Sequence, residues 1–209
     1  MDYFIFMILI SYFAGSIPTA IITGKVLRGI DIRTQGSGNA GATNVFRVLG
    51  WKAGLFVLLF DVAKGFVATV LIYKIAAGHV FIDPVVLQII AGLCAVFGHI
   101  WTIFAGFRGG KGVGAGAGMV IGLVPWAVLA ALIVFIIVVA LTRYVSLGSI
   151  LASIMVALYL FGKNYIFESP VPVPLLVLGI IVPLLIILTH RSNIQRLLNG
   201  NENKIQFKK

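Results

Sequence analysis

Three stretches of this sequence carry side chains and spacings suited to handling phosphate. The first is Gly36-Ser37-Gly38-Asn39-Ala40-Gly41-Ala42-Thr43-Asn44-Val45-Phe46-Arg47. The second is Phe107-Arg108-Gly109-Gly110-Lys111-Gly112-Val113, and the third His190-Arg191-Ser192-Asn193-Ile194-Gln195-Arg196. Closely spaced glycines let successive backbone N–H groups converge into an anion-binding concavity. The planar fork of Arg47 matches two phosphate oxygens at once, whereas the Lys111 ammonium acts as a mobile point charge. Read this way, the first two stretches form two phosphate pockets or one large one. Taken singly, each is equally well a tight interfacial turn whose cations set topology; the three together point to one site.

Generic motif matches do not survive inspection. Gly36-x-Gly38-x-x-Gly41 has dinucleotide-binding spacing, but no strand or βαβ unit surrounds it. Gly110-Lys111 looks like the end of a P-loop, yet Ala105 stands at the first glycine position and Gly112 where a magnesium-holding hydroxyl belongs. His79 and Asp83 read as surface residues of an outer loop rather than a catalytic pair. Asp61 and Lys64 lie three apart on one helical face and are expected to pair, since a lone charge inside a membrane helix costs about 2.5–3.5 kcal/mol. A direct place in the site stays open for both. His99 reads as a helix-end histidine. Gly112, Gly114, Gly116, Gly118 and Gly122 are expected to let membrane helices approach closely.

The elements that must position these residues are transmembrane. Residues of the AVILMFWYC set make up 60% of the 209 and charged residues only 11%, against about 45–50% and about 25% in soluble domains. That excludes a soluble domain and a disordered chain. Cys94 is the only cysteine, which excludes a disulfide scaffold. The opening Met-Asp-Tyr-Phe has no positive flank, so the first apolar run reads as a retained span. An excess of 16 Lys+Arg over 6 Asp+Glu implies anionic headgroups, topological anchoring or anionic substrates. The scatter of these cations argues against nucleic acid.

Apolar runs long enough to span fall at about 3–22, 53–73, 84–104, 149–162 (short) and 171–189. The stretch 113–141 as one helix would be about 43 Å long, and Pro125 within Leu-Val-Pro-Trp marks a break. Two crossings there leave every cation except Lys64, Lys74 and Lys163 on one side, Lys208 and Lys209 included; one crossing gives a nearly even split. The positive-inside rule therefore favours an all-α integral membrane protein of seven transmembrane helices, N-terminus outside and C-terminus cytoplasmic, with all three polar stretches on the cytoplasmic face. Residues 1–209 read as one membrane-embedded domain. Segment 25–50 is a long inner loop with a short interfacial helix, and the tail 191–209 lies along the inner surface.

Together the three stretches resemble the acyl-phosphate:glycerol-3-phosphate acyltransferases of bacterial phospholipid synthesis, the PlsY family. The similarity covers nearly the whole chain. The first motif matches throughout Gly36-Ser37-Gly38-Asn39-x-Gly41-Ala42-Thr43-Asn44-x-x-Arg47. The second matches in Gly98-His99 and Gly109-Gly110-Lys111-Gly112-Val113, and the third in His190, Asn193, Arg196 and Leu197. Phe60-Asp61-x-x-Lys64-Gly65 also resembles a family element. Thr102 stands where the family has a proline, and Gly114-Ala115 where it has Ala-Thr.

The resemblance implies transfer of a fatty acyl group from acyl phosphate to the sn-1 hydroxyl of glycerol 3-phosphate, giving lysophosphatidic acid and phosphate at the cytoplasmic face of the bacterial cytoplasmic membrane. It implies that the Gly36–Gly41 backbone, Ser37 and Thr43 cradle the acyl-phosphate headgroup, with Asn39 a substrate-binding position beside them. Gly38, Asn44, Gly109, Gly110 and Gly112 are further substrate-binding positions, and Arg47, Lys111, His190 and Asn193 bind and aim glycerol 3-phosphate. Ser149 resembles a site serine, although a serine at a helix start is also an N-cap. No cofactor or metal is implied, because a mixed anhydride with a good leaving group needs neither coenzyme A nor an acyl-enzyme. The implied partners are membrane lipids and a soluble enzyme that forms the acyl phosphate. The rival reading is a transporter of an anionic phosphorylated metabolite, which needs polar groups continuing to the outer face; the outer loops 74–83 and 163–170 lack comparable clusters.

Overall fold

The computed structural model describes residues 1–205, all of them in helices, turns or loops with no strand among them. Lys208 and Lys209, counted above among the inner cations, lie outside the described residues. Contacts divide the chain into two units, the first Met1–Leu123 and the second from Val124 onward.

The first unit contains α1 (Asp2–Ser16), α2 (Thr19–Arg28), α3 (Ala42–Leu49), α4 (Trp51–Val70), α5 (Pro84–Ile100) and α6 (Val113–Leu123). The second contains α7 (Pro125–Thr142), α8 (Val145–Tyr165), α9 (Val173–Thr189) and α10 (Arg191–Leu198). Among the described residues, five stretches are long and apolar enough to cross a bilayer: Asp2–Arg28, Trp51–Ile75, Pro84–Ala105, Pro125–Thr142 and Val145–Tyr165. α9 and α10, bent by 65° at His190, add a sixth if they count as one. Large apolar side chains such as Phe56, Leu59, Ile133 and Leu184 are more than half exposed, which suits hydrocarbon rather than water.

Local signals explain several boundaries. Pro84 and Pro125 open α5 and α7, where their missing N–H is no loss. The Asp83 carboxylate accepts from Val85 N at 2.7 Å and caps α5. The expected break in 113–141 falls at Val124. α6, the 11-residue helix before that break, is about 16 Å long, roughly half the hydrocarbon thickness. The first apolar run is not continuous as expected, because Pro18 ends α1 at Ile17. The run placed at 149–162 extends over Val145–Tyr165, absorbing Ser146 and Ser149 into a helix. α3 is the short helix expected within 25–50.

Within the first unit, the glycines fix the register. A Cβ at Gly15 would strike Ala95, and one at Gly98 would strike Tyr12 and Ser16; with Met7 clustered beside Leu87 and Ala91 near the start of α5 and Ser16 O meeting Thr102 just past its end, α1 and α5 run in parallel. Gly114, Gly118 and Gly122 press in turn on Asp61, on Val62 with Phe66, and on Thr69 with Val70, so α6 runs parallel to α4. Thr69 beside Gly92 and Asp61 beside His99 make α4 antiparallel to α5. The C-terminal ends of α1 and α5 therefore meet the N-terminal ends of α4 and α6, and both glycine-rich stretches emerge at that end. Of the five glycines expected to pack, Gly116 alone faces open space.

This contrast sets an expected result. Gly118→Ala drives a methyl group into the Val62 carbonyl and lowers stability by about 1–3 kcal/mol, whereas Gly116→Ala stays within about 0.5 kcal/mol. Thermal unfolding of the two variants in detergent checks it, and equal midpoints contradict the α4–α6 packing.

In the second unit α8 packs on α7 and α9, with Gly148 against Phe135 and Val139 and Gly179 against Leu160. Ile205 N donates to Arg143 O at 2.9 Å, returning the tail to the α7–α8 turn.

Candidate active site

The first polar stretch is held by three side chains, Asp31, Arg33 and Asn44. Asp31 accepts from Arg33 N and starts the 3-10 turn Ile32–Thr34. Arg33 forks back onto that carboxylate, with Nη2–Oδ2 at 2.7 Å and Nε–Oδ1 at 3.1 Å, and its Nη1 donates to Ala105 O at 2.8 Å. The chain then turns through Gly36 and Gly38, both in the left-handed region at φ +59° and +74°, where a side chain is strained. Asn44 shapes this turn from α3: its Oδ1 accepts from Ser37 N at 2.8 Å, and its Nδ2 donates to Ile32 O at 2.9 Å and Gln35 O at 3.0 Å. Asn44, an expected substrate-binding position, is 1% exposed and braces the loop. Ser37, Asn39, Gly41 and Thr43 are part-exposed around the turn, Gly36 and Gly38 exposed, and Arg47 half-buried on α3.

The second stretch folds back onto the end of α5. Gly109 N donates to Ile100 O and Gly110 N to His99 O, both at 3.0 Å. At Gly110 a Cβ would run into the His99 ring and lie 3.1 Å from Ala40 O, so this glycine sits directly against the first stretch. Gly112 closes the turn against Val96 and Ile100, and Lys111 between them is half-buried. Two of the three stretches are thus brought together at one end of the first unit.

Beneath them lies a buried charged cluster. Lys64 Nζ is 2.9 Å from Asp61 Oδ1, the pairing expected from their spacing, and donates to Ile17 O at 3.2 Å. His99 Nδ1 is 3.4 Å from the same carboxylate oxygen. Thr102 donates its hydroxyl to Ser16 O, an orphan carbonyl at the end of α1. A small cleft is lined by Pro18, Ala40, Asp61, Lys64, His99, Gly109 and Gly110 among others.

The third stretch is organised within the second unit. His190 sits at the α9–α10 bend, 3% exposed, and its Nδ1–H donates to Ile186 O at 2.8 Å. Glu202 gathers the rest: Oε1 accepts from Asn193 Nδ2 at 2.7 Å and Ser146 Oγ at 2.9 Å, and Oε2 from Arg196 Nε at 2.7 Å. Burial pushes the Glu202 carboxyl up, but the hydrogen bonds from Asn193, Arg196 and Ser146 outweigh it and hold the group below the usual carboxylate range. Ser149 donates to Val145 O at 2.9 Å from inside α8; the helix starts at Val145, so Ser149 is not its N-cap.

Sequence reasoning left out Arg33 and Glu202. Their signals were present, as a carboxylate two residues before an arginine and as the single acid of a basic tail. His79 stacks on Tyr3 with ring centroids 4.0 Å apart while Asp83 caps α5, so the pair has no shared chemistry.

The Asp31–Arg33 clasp makes acid sensitivity an expected outcome. Arg33 lowers the Asp31 carboxyl from 3.8 to about 2. A depressed carboxylate contributes stability above its unfolded value that disappears as pH falls through its folded value. The loop is therefore firm above about pH 4 and loosens toward pH 2. Limited proteolysis of the 31–40 segment across that range checks this, and Asp31→Asn removes the pH dependence.

A family model described as glycerol-3-phosphate acyltransferase matches residues 5–200. The chain belongs to the glycerol-3-phosphate acyltransferase family. The curated glycerol-3-phosphate acyltransferase of Chlorobaculum tepidum is 46% identical, covering 98% of this chain and 97% of its own. That of Chlorobaculum parvum is 47% identical with the same coverage. Among solved structures, PlsY, an integral membrane glycerol 3-phosphate acyltransferase, matches in its glycerol 3-phosphate form with a TM-score of 0.84 and 39% identity over 97% of this chain and 96% of that one. Its lysophosphatidic acid form matches at 0.82 and 38%, over 97% and 95%. This glycerol-3-phosphate acyltransferase family member, with its five or six apolar spans, is an integral membrane protein.

Proposed function

We propose that this chain transfers a fatty acyl group from acyl phosphate to the sn-1 hydroxyl of glycerol 3-phosphate, releasing lysophosphatidic acid and inorganic phosphate. The observation that carries the reading is the meeting of two glycine-rich turns, flanked by Arg47 and Lys111, at one end of the first unit. Two phosphate-bearing reactants, one lipid and one water-soluble, are what such an end of a membrane helix cluster suits. The glycerol 3-phosphate and lysophosphatidic acid forms of the PlsY relative support the same acceptor and product.

In this mechanism the Gly36–Gly41 backbone, Ser37 and Thr43 hold the acyl-phosphate headgroup, with Asn39 a further substrate-binding position. Arg47 and Lys111, with Gly109, Gly110 and Gly112, bind and aim glycerol 3-phosphate. The acceptor hydroxyl oxygen attacks the acyl carbonyl carbon, the carbon–oxygen bond to phosphate breaks, and the hydroxyl proton passes to the departing phosphate. The protein's contribution is alignment and charge stabilisation. No acyl-enzyme is required.

The distribution of cations supports seven spans, with the N-terminus outside and the active end at the cytoplasmic face of a bacterial cytoplasmic membrane. The acyl phosphate, itself amphiphilic, is supplied by a soluble enzyme. Purified protein given acyl phosphate, acyl-CoA or acyl-carrier protein with labelled glycerol 3-phosphate tests the reading. Labelled lysophosphatidic acid is expected from acyl phosphate alone, and product from acyl-CoA alone overturns the donor assignment.

A further inference from the structure

The Asp61–Lys64–His99 cluster has no part in the chemistry above, yet it is 3%, 6% and 7% exposed and lies inside the helix cluster. Asp61 is about 15 Å along α4 from its first residue. Ionisable groups at such depth are costly, and an apolar set of equal volume holds helices together as well or better than a buried ion pair. One ordinary task is visible: Lys64 donates to Ile17 O, which Pro18 leaves at the broken end of α1. That task needs Lys64 and a counter-charge. It does not need His99.

What His99 adds is a connection. Its Nδ1 faces Asp61, the Nε2 side of its ring lies against Gly110, and its own carbonyl accepts from Gly110 N. A continuous chain of polar contacts thus runs from the end of α1 through Lys64, Asp61 and His99 to the residue before Lys111. Hydrogen bonds fix direction as well as distance, whereas apolar packing alone tolerates sliding. Gly110 has no room to move toward the ring or toward Ala40.

We propose that Asp61, Lys64 and His99 are positioning residues for Lys111: they touch no substrate, and through the Gly109–Gly110 turn they set where the Lys111 ammonium meets the phosphate of glycerol 3-phosphate. This rests on the reading that Lys111 contacts that phosphate. Displacing a binding group by about 1 Å costs up to about a hundredfold in rate, which a looser turn would produce.

The test is a double-mutant cycle on purified protein assayed with acyl phosphate and glycerol 3-phosphate. His99→Gln is expected to raise KM for glycerol 3-phosphate about tenfold or more while leaving KM for acyl phosphate and the thermal midpoint nearly unchanged. Because His99 acts through Lys111, His99→Gln with Lys111→Ala is expected to be no worse than Lys111→Ala alone. Asp61→Asn, which keeps the volume, carries the same cycle independently. Multiplying effects, or equal damage to both KM values, overturn the proposal. Failure of both variants to fold makes the cluster a structural clasp and overturns it too. An unaltered KM in Lys111→Ala alone removes the phosphate contact itself, which separates failure of the premise from failure of the cluster's role.

Discussion

Lys111→Ala and Arg47→Ala each lower kcat/KM for glycerol 3-phosphate by about 10- to 150-fold while the protein still accumulates in the membrane. The magnitude follows from hydrogen bonds to charged groups, each contributing about 1.5–3 kcal/mol, with a factor of ten for every 1.36 kcal/mol. Both side chains are half-buried, Lys111 in the turn after Gly110 and Arg47 on α3, so their removal leaves the helix packing in place. The conservative exchanges separate their roles. Arg47→Lys keeps charge but loses the two-pronged fork, and should recover little. Lys111→Arg keeps charge but adds bulk beside a turn that has no slack, and should recover partly. Arg28→Ala, exposed at the end of α2, is the control for bulk positive charge. Near wild-type kcat/KM in both alanine variants removes these residues from the site.

Glu202→Ala is expected to be the most destabilising single change in the second unit. Glu202 and Arg196 pair with side chains 4% and 34% exposed, and Ser146 and Asn193 share the same carboxylate. Removing one partner of a buried pair costs about 3–5 kcal/mol, an upper bound here because Arg196 is partly exposed, and Ser146, Asn193 and Arg196 lose the acceptor they share. Glu202→Gln keeps one acceptor oxygen and loses less. Since the Glu202 carboxyl is held below its ordinary value, its stabilisation is complete at neutral pH and fades as pH falls through the folded value. Thermal unfolding at pH 7 and at acidic pH measures both: the gap between wild type and Glu202→Ala should narrow in acid. A gap that stays constant with pH rules out the ionised carboxylate as the source.

Residues whose meaning is local were legible in the sequence. Pro125 marked the break between α6 and α7 because proline acts on its own backbone. Asp61 and Lys64 were paired correctly because helical periodicity alone brings residues three apart together. The glycines of α6 were legible as a packing face for the same reason. Pro18 is not legible as a break, because the apolar run continues across it and hydropathy does not register a lost N–H. The clasp of Arg33 on Ala105 and the gathering of Ser146, Asn193 and Arg196 by Glu202 depend on which chain ends meet, which no local pattern states. Asn44 illustrates a different limit. An amide in a glycine-rich motif is equally able to hold a ligand or its own loop, and here it holds the loop.

The glycine contacts between α4 and α6 have a mechanical corollary. The carbonyl oxygens of Val62 and Ala115 occupy the space a methyl group would need at Gly118 and Gly65. Advancing either helix by one residue would drive a neighbouring Cβ onto one of those oxygens, so the pair resists shear the way meshed teeth do. Any rearrangement at this end of the first unit is therefore left to the loops rather than to sliding of α4 on α6.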